Sequence, residues 1–249
     1  MLGMGSKKAR VNRNDVYASP IVFIELFDDT RKEVGEKELL TSRKYKVLRE
    51  AWIASIFSVA LSMGTSENLG TGNVWWLRPN PEDVAPDFFA FNTKEIVGKD
   101  YKEGINARWE VFEWEEHSKH TLIDAVKRKV GRLHDDKLSV IGYLAKSNQD
   151  LNFKALHSAL TEQKPDVLEV WLLAKIKEQN GALVLIQVYP YFYARRVPTT
   201  IPDYFKKPYG FVSKYRGKVN RAGGVLSIDD QMQIKIIEKD PFDTPYLAT

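Results

Sequence analysis

Apolar residues recur at helical spacing in three stretches of this chain and crowd into short runs in many others. The clearest helical stretch runs from Ser42 to Gly64. Tyr45, Leu48, Trp52, Ile56, Val59 and Met63 form one stripe at that spacing. Val47, Ala51, Ile53, Ala54, Phe57 and Leu61 widen it over most of the circumference, so the pattern predicts a helix buried on several sides. Ser42 suits its start and Gly64 its end. Two shorter helices are predicted over Thr121–Leu133 and over Asn152–Gln163, the latter stopped by Lys164-Pro165. Short runs rich in β-branched and aromatic residues predict strands at Ile21–Phe27, Asn73–Arg78, Asp87–Asn92, Ala107–Glu116, Leu138–Ala145, Val167–Ile176 and Ala182–Pro190. The last two are joined through Lys-Glu-Gln-Asn-Gly, a hairpin signal. Thr30–Leu40 reads as a charged link, Gly64–Asn73 and Pro79–Pro86 as loops, and 93–107 as a polar hairpin excursion. Val225–Asp240 offers one or two short strands. The glycine-rich loop lacks the G-K-[ST] ending of a phosphate-binding P-loop.

Composition narrows the picture. At 249 residues, 43% of them hydrophobic, the chain has material for one large domain, or one with an appendage. The absence of cysteine excludes disulfides, thiolate metal sites and cysteine nucleophiles. The N-terminus lacks the apolar stretch of a signal peptide, and the longest uncharged apolar run, Ala51–Gly64, is too short to span a bilayer. A cytoplasmic protein without a membrane partner is therefore expected. Changes in composition divide the chain into a basic arm and N-terminal strand (1–41), a core (42–190) and a basic, aromatic extension (191–249).

Candidate chemistry centres on Trp109–Lys119, where Glu110, Glu113, Glu115 and Glu116 are interleaved with Trp109, Val111, Phe112 and Trp114. In a strand, residues i and i+2 share a face. Glu113 and Glu115 then lie on the side of Trp109 and Val111, and Glu110, Phe112, Trp114 and Glu116 on the other. Clustered carboxylates repel one another unless a cation joins them, and Mg²⁺ prefers such hard oxygen ligands. Glu50 adds a carboxylate among apolar helical neighbours, Val47, Ile53, Ala54 and Phe57, where an uncompensated charge is costly. A solvated strand face, or salt bridges to Lys and Arg, is the plainer reading of the same acids.

The order from Ser42 is helix, three strands, helix, strand. That order, with Pro86-Asp87 opening the second strand and Glu113-Trp114-Glu115 on the third, resembles the PD-(D/E)xK nuclease superfamily. The resemblance covers Ser42 to Ile176. It implies an α/β fold: a restriction-endonuclease-like α-β-β-β-α-β core with a mixed sheet, here with C-terminal β additions. It also implies a metal-dependent endonuclease hydrolysing phosphodiester bonds, with Asp87 and Glu113 as ligands of Mg²⁺ or Mn²⁺ and Glu50 in support. Glu115 stands where the family has its lysine, and Lys119 is the candidate to swing back toward that place.

The extension carries a second signal. Arg195, Arg196, Lys206, Lys207, Lys214 and Arg216 lie among Tyr191, Tyr193, Tyr204, Phe205, Tyr209, Phe211 and Tyr215, with Asp203 the only acid from Tyr191 to Gly224. Such groups neutralise phosphates and stack on bases. Together with Lys127 and Arg128 of the second helix they form the expected nucleic-acid contacts, DNA being favoured. The alternatives are a non-catalytic nucleic-acid-binding protein of the same fold, and an assembly protein using its aromatic surface for protein contacts. A homodimer or larger assembly is compatible with each.

Overall fold

The computed structural model describes the backbone of residues 16–69, 75–80, 82, 84–95, 102–115, 120–146, 151–175, 183–197, 211–216, 226–228 and 232–237. Its side chains are described over 17–62, 75–80, 82, 84–92, 106–114, 120–144, 151–174 and 183–197.

The chain is α/β, built on one mixed sheet. After a short strand β1 (Val16–Ala18) come helices α1 (Pro20–Val34) and α2 (Glu36–Thr41), then a 3-10 turn over Arg43–Tyr45. The long helix α3 (Lys46–Leu69) follows, and then strands β2 (Trp76–Pro79), β3 (Phe88–Glu95) and β4 (Lys102–Glu115). Helix α4 (Leu122–Val130) leads to β5 (Asp135–Lys146), and α5 (Phe153–Gln163) to β6 (Val167–Lys175). Strands β7 (Leu183–Tyr189), β8 (Tyr193–Val197), β9 (Phe211–Arg216), β10 (Leu226–Ile228) and β11 (Met232–Ile237) complete the sheet.

Strands β1 to β8 lie side by side in chain order, and β9, β11 and β10 continue the sheet beyond β1. Strand β4 pairs antiparallel with β3 and parallel with β5; β5 pairs parallel with β6. The parallel pairs follow from α4 and α5, which carry the chain back to the same end of the sheet. The other neighbouring pairs are antiparallel.

Two apolar layers cover the sheet. On one face Ala51, Ala54 and Phe57 of α3 and Phe23 of α1 pack on Trp109, Val111, Ile141, Trp171 and Leu185. The Phe57 ring meets Trp109 edge-on at 4.9 Å, a favoured aromatic geometry. On the other face Leu122, Val126 and Val130 of α4 and Leu156 and Leu160 of α5 pack on Trp114, Val140, Leu144 and Leu172. The alternation along β4 divides as expected, with Trp109 and Val111 under α3 and Trp114 under α4.

The expected strand at Ile21–Phe27 is a helix. Ser19 is its N-cap, with Oγ accepting from the Ile21 N–H, and Pro20 opens the first turn, where its missing N–H costs nothing. Ile21, Ile24 and Phe27 then recur at helical spacing and are buried. The charged link is likewise helical: α1 continues through Thr30 to Val34, and α2 follows after Gly35, whose φ of 84° suits glycine. Helix α3 overruns Gly64 to Leu69, so part of the expected glycine-rich loop is helix. The polar segment 93–107 is largely strand, belonging to β3 and β4.

Candidate carboxylate site

Asp87 is positioned by a closed loop. The Asn80 N–H donates to the Asp87 carbonyl at 2.8 Å, while Asn80 Nδ2 donates to the Val84 carbonyl at 3.1 Å. Strand β3 begins at the next residue, and Phe88 pairs with Trp109, so the register continued by one step sets Asp87 opposite Glu110. The Val111 N–H donates to Asp87 Oδ2 at 2.7 Å. Asp87 therefore lies alongside Glu110 and Val111, and Glu113 stands further along β4, past the start of β3. Burial pushes the Asp87 carboxyl above its ordinary range, and the Glu110 charge pushes the same way. The Val111 N–H, Lys129 and Lys46 oppose both.

Glu50 and Glu113 share the α3 side of the sheet. Glu50 is buried, with 8% of its surface exposed. Burial, then the charges of Asp87 and Glu113, raise its pKa to about 7, while Lys46 one turn earlier pulls it down. The Lys46 ammonium lies 3.4 Å from Glu50 Oε1. Glu113 accepts a 3.0 Å bond from Arg49 Nε. Arg49 Nη1 also donates to the carbonyls of Leu39 and Ser42, at 3.0 and 2.9 Å. Tyr143, paired with Glu113 across β4 and β5, is buried, and burial together with the Glu113 charge holds its hydroxyl up at about 12.

Glu110 faces the other layer. Only 7% of it is exposed, and Lys129 of α4 meets its Oε1 at 2.5 Å. Its Oε2 is buried without a hydrogen-bond partner. Asp87, at the end of the sheet, feels Lys129 from one face and Lys46 from the other.

The structure thus sets Glu50 within electrostatic reach of both Asp87 and Glu113. Glu115 occupies the last position of β4, next to an irregularity in the pairing with β5, and its side chain lies outside the described residues, as does Lys119. Sequence reading missed four contributors: Lys46, Arg49, Tyr143 and Lys129, which pairs with Glu110. A signal existed for Lys46, four residues before Glu50 and so one helical turn away. Arg49 and Tyr143 act through contacts with distant segments, which no local pattern reports.

The residues expected at nucleic acid are dispersed. Lys127 and Arg128 are exposed on α4, with Arg128 Nη1 2.8 Å from His120 Nε2. Arg196 is exposed on β8, whereas Arg195 turns inward and donates to the Ala60 carbonyl of α3. Lys214 and Arg216 belong to β9, but their side chains lie outside the described residues, and Lys206 and Lys207 lie outside them altogether.

Magnesium or manganese is the cation that the nuclease resemblance implies. Among the described residues, no group of three or more His, Cys, Asp or Glu stands ready to hold a metal ion. The donor chemistry nevertheless suits a hard cation. Mg²⁺ commonly takes one or two carboxylates and completes its shell with water and phosphate. Here Glu50 and Asp87 are oxygen donors whose pKa is raised, first by burial and then by neighbouring carboxylate charge. No family model, curated protein or solved structure matches the chain. No helix among the described residues is long and apolar enough to cross a membrane.

Proposed function

We propose that the protein is a metal-dependent nuclease with a restriction-endonuclease-like core. The observation that carries this reading is Glu50: a carboxyl buried on α3 and raised to about 7, chiefly by that burial and further by the charges of Asp87 and Glu113. Burying acids together is unfavourable, and a divalent cation relieves the cost. The element order α3, β2, β3, β4, α4, β5 agrees with the resemblance. Asp87 and Glu113 would hold Mg²⁺ or Mn²⁺, with Glu50 and Glu115 assisting. The ion, when bound, would polarise a phosphodiester and lower the pKa of a bound water. Arg49 anchors Glu113 against α3, Asp87 is oriented by the Val111 N–H, and Tyr143 lies beside Glu113 on the neighbouring strand. DNA is the favoured substrate.

A second reading rests on a different observation. Arg49 already neutralises Glu113, and its three bonds hold it there. With lysine absent from the third-strand motif, this suits a nucleic-acid-binding protein that has lost the chemistry. The deciding experiment is cleavage of labelled single- and double-stranded DNA and RNA with Mg²⁺ or Mn²⁺, beside Asp87→Ala and Glu113→Ala. Metal-dependent cutting lost in both variants is expected. Salt-sensitive binding without cutting on any substrate would leave the second reading.

A further inference from the structure

Two rows of residues cross β2, β3 and β4 on the side of the sheet where Glu110 meets α4. Asn80, Asp87 and Glu110 form the first: the Asn80 N–H donates to the Asp87 carbonyl, and the register sets Asp87 opposite Glu110. Arg78, Phe89 and Arg108 form the second, paired directly across the three strands. It lies two residues from the first, so both rows share a face, about 7 Å apart along the strands. Tyr17 of β1 continues the second row beyond Arg78, since Ala18 pairs with Leu77. The apolar layer under α4 and α5 includes no residue of β2 or β3.

Arg78 differs from the other cations near the acids. Arg108 meets Asp135 at 2.6 Å, Lys129 meets Glu110 at 2.5 Å and Arg49 meets Glu113 at 3.0 Å. Arg78 is half-buried, and no oxygen among the described residues accepts a hydrogen bond from it. Its Nε is closed off from solvent without an acceptor. Aromatic rings hold it instead. The guanidinium carbon lies 4.3 Å from the centre of the Phe89 ring and 5.6 Å from that of Tyr17. Such contacts attract the charge without neutralising it.

We propose that Arg78 binds a backbone phosphate of nucleic acid beside the phosphodiester at Asp87. This rests on the reading of Asp87 as part of a site that meets a phosphodiester. A guanidinium offers a planar fork that matches two phosphate oxygens. Rings from the strands on either side restrain that fork before anything binds, so little freedom is lost on binding. A nucleic-acid strand held at Asp87 carries further phosphates past the next row of the same face. An acidic peptide has no such tie to Asp87.

The test is the salt dependence of binding. A short labelled DNA duplex is titrated with the full chain in EDTA, where nothing is cut, over a range of salt. Each lost phosphate contact lowers the steepness of log K against log salt by about 0.9. Arg78→Met is expected to show that loss, Arg78→Lys to keep the slope, and Lys154→Met, an exposed charge on α5, to leave it unchanged. Methionine preserves an apolar stem between the rings, and an unchanged melting curve confirms folding. A second measurement needs no variant: the duplex is expected to protect Arg78 of the wild type from phenylglyoxal, as located by mass spectrometry. An unprotected Arg78 overturns the proposal, as does an unchanged slope in Arg78→Met, an equal loss in Lys154→Met, or a wild type that binds a glutamate-rich peptide but no DNA. Cutting is read separately with Mg²⁺. Cutting that depends on Asp87, with the Arg78→Met slope unchanged, overturns the role of Arg78 and leaves the nuclease. A lowered slope with no cutting by any form supports Arg78 as a phosphate contact and overturns the nuclease.

Discussion

At Glu50, burial and charge oppose each other, and the sign of the result is measurable. Its pKa is raised to about 7 in the folded chain, so the folded state holds the proton more tightly than the unfolded one. Stability from this group is present below the ordinary glutamate range and is lost as pH rises from there to about 7. At about 1.4 kcal/mol for each tenfold change in proton affinity, the loss is on the order of 3 kcal/mol. Glu50→Gln should therefore match the wild type in urea unfolding at pH 4 and exceed it at pH 8. Arg49 behaves in the opposite way. Arg49→Met removes the guanidinium from Glu113 and from the carbonyls of Leu39 and Ser42, the last of which keeps the Tyr45 N–H. A cost of about 3 kcal/mol is expected in the same assay. Glu50 was legible in the sequence because it is an acid among apolar helical neighbours. Arg49 was not, because its partners come from α2, the turn after it and β4.

Among the elements, α4 is held at its start by Thr121. Its Oγ1 accepts from the Asp124 N–H at 3.1 Å and donates to Asp124 Oδ2 at 2.7 Å. Thr121→Ala should cost about 1 kcal/mol in chemical denaturation, and it loosens the helix that presents Lys129 to Glu110. Strand β5 passes close beneath its neighbours at Gly142, where an added Cβ would meet the Phe112 ring at 2.5 Å and Leu172 at 2.7 Å. Gly142→Ala should destabilise by about 1–3 kcal/mol, read as a lowered denaturation midpoint. Helices α3, α4 and α5 and the central strands were legible because their burial is one-sided or complete and the pattern records it. Helix α1 was misread as a strand: the run Ile21–Phe27 is short and apolar, and periodicity cannot separate the two states there. Ser19-Pro20 before it was the signal for a helix start. The register of Asp87 with Glu110 was beyond local reading, because it depends on the loop closed by Asn80.

For the whole molecule, the sheet crosses the boundaries that composition suggested. Strand β1 comes from the first segment, and it pairs with β2 of the core and β9 of the extension. Val197 is buried, and Arg195 reaches the backbone of α3. Removal of 191–249 should therefore lower the melting temperature, by about 2–4 °C for each kcal/mol lost. An independent appendage would leave it unchanged. The order of strands has a consequence for synthesis. From β1 to β8 each new strand joins the one made just before it, so pairing can keep pace with the ribosome. The start of β4 later meets β10 as well, and the outer edge of β1 has a late partner in β9, which starts at Phe211. At about 5–20 residues per second, the β1 edge waits roughly 10–40 s for its cover. It is only three residues long, and so short an open edge gives a neighbouring nascent chain little to pair with.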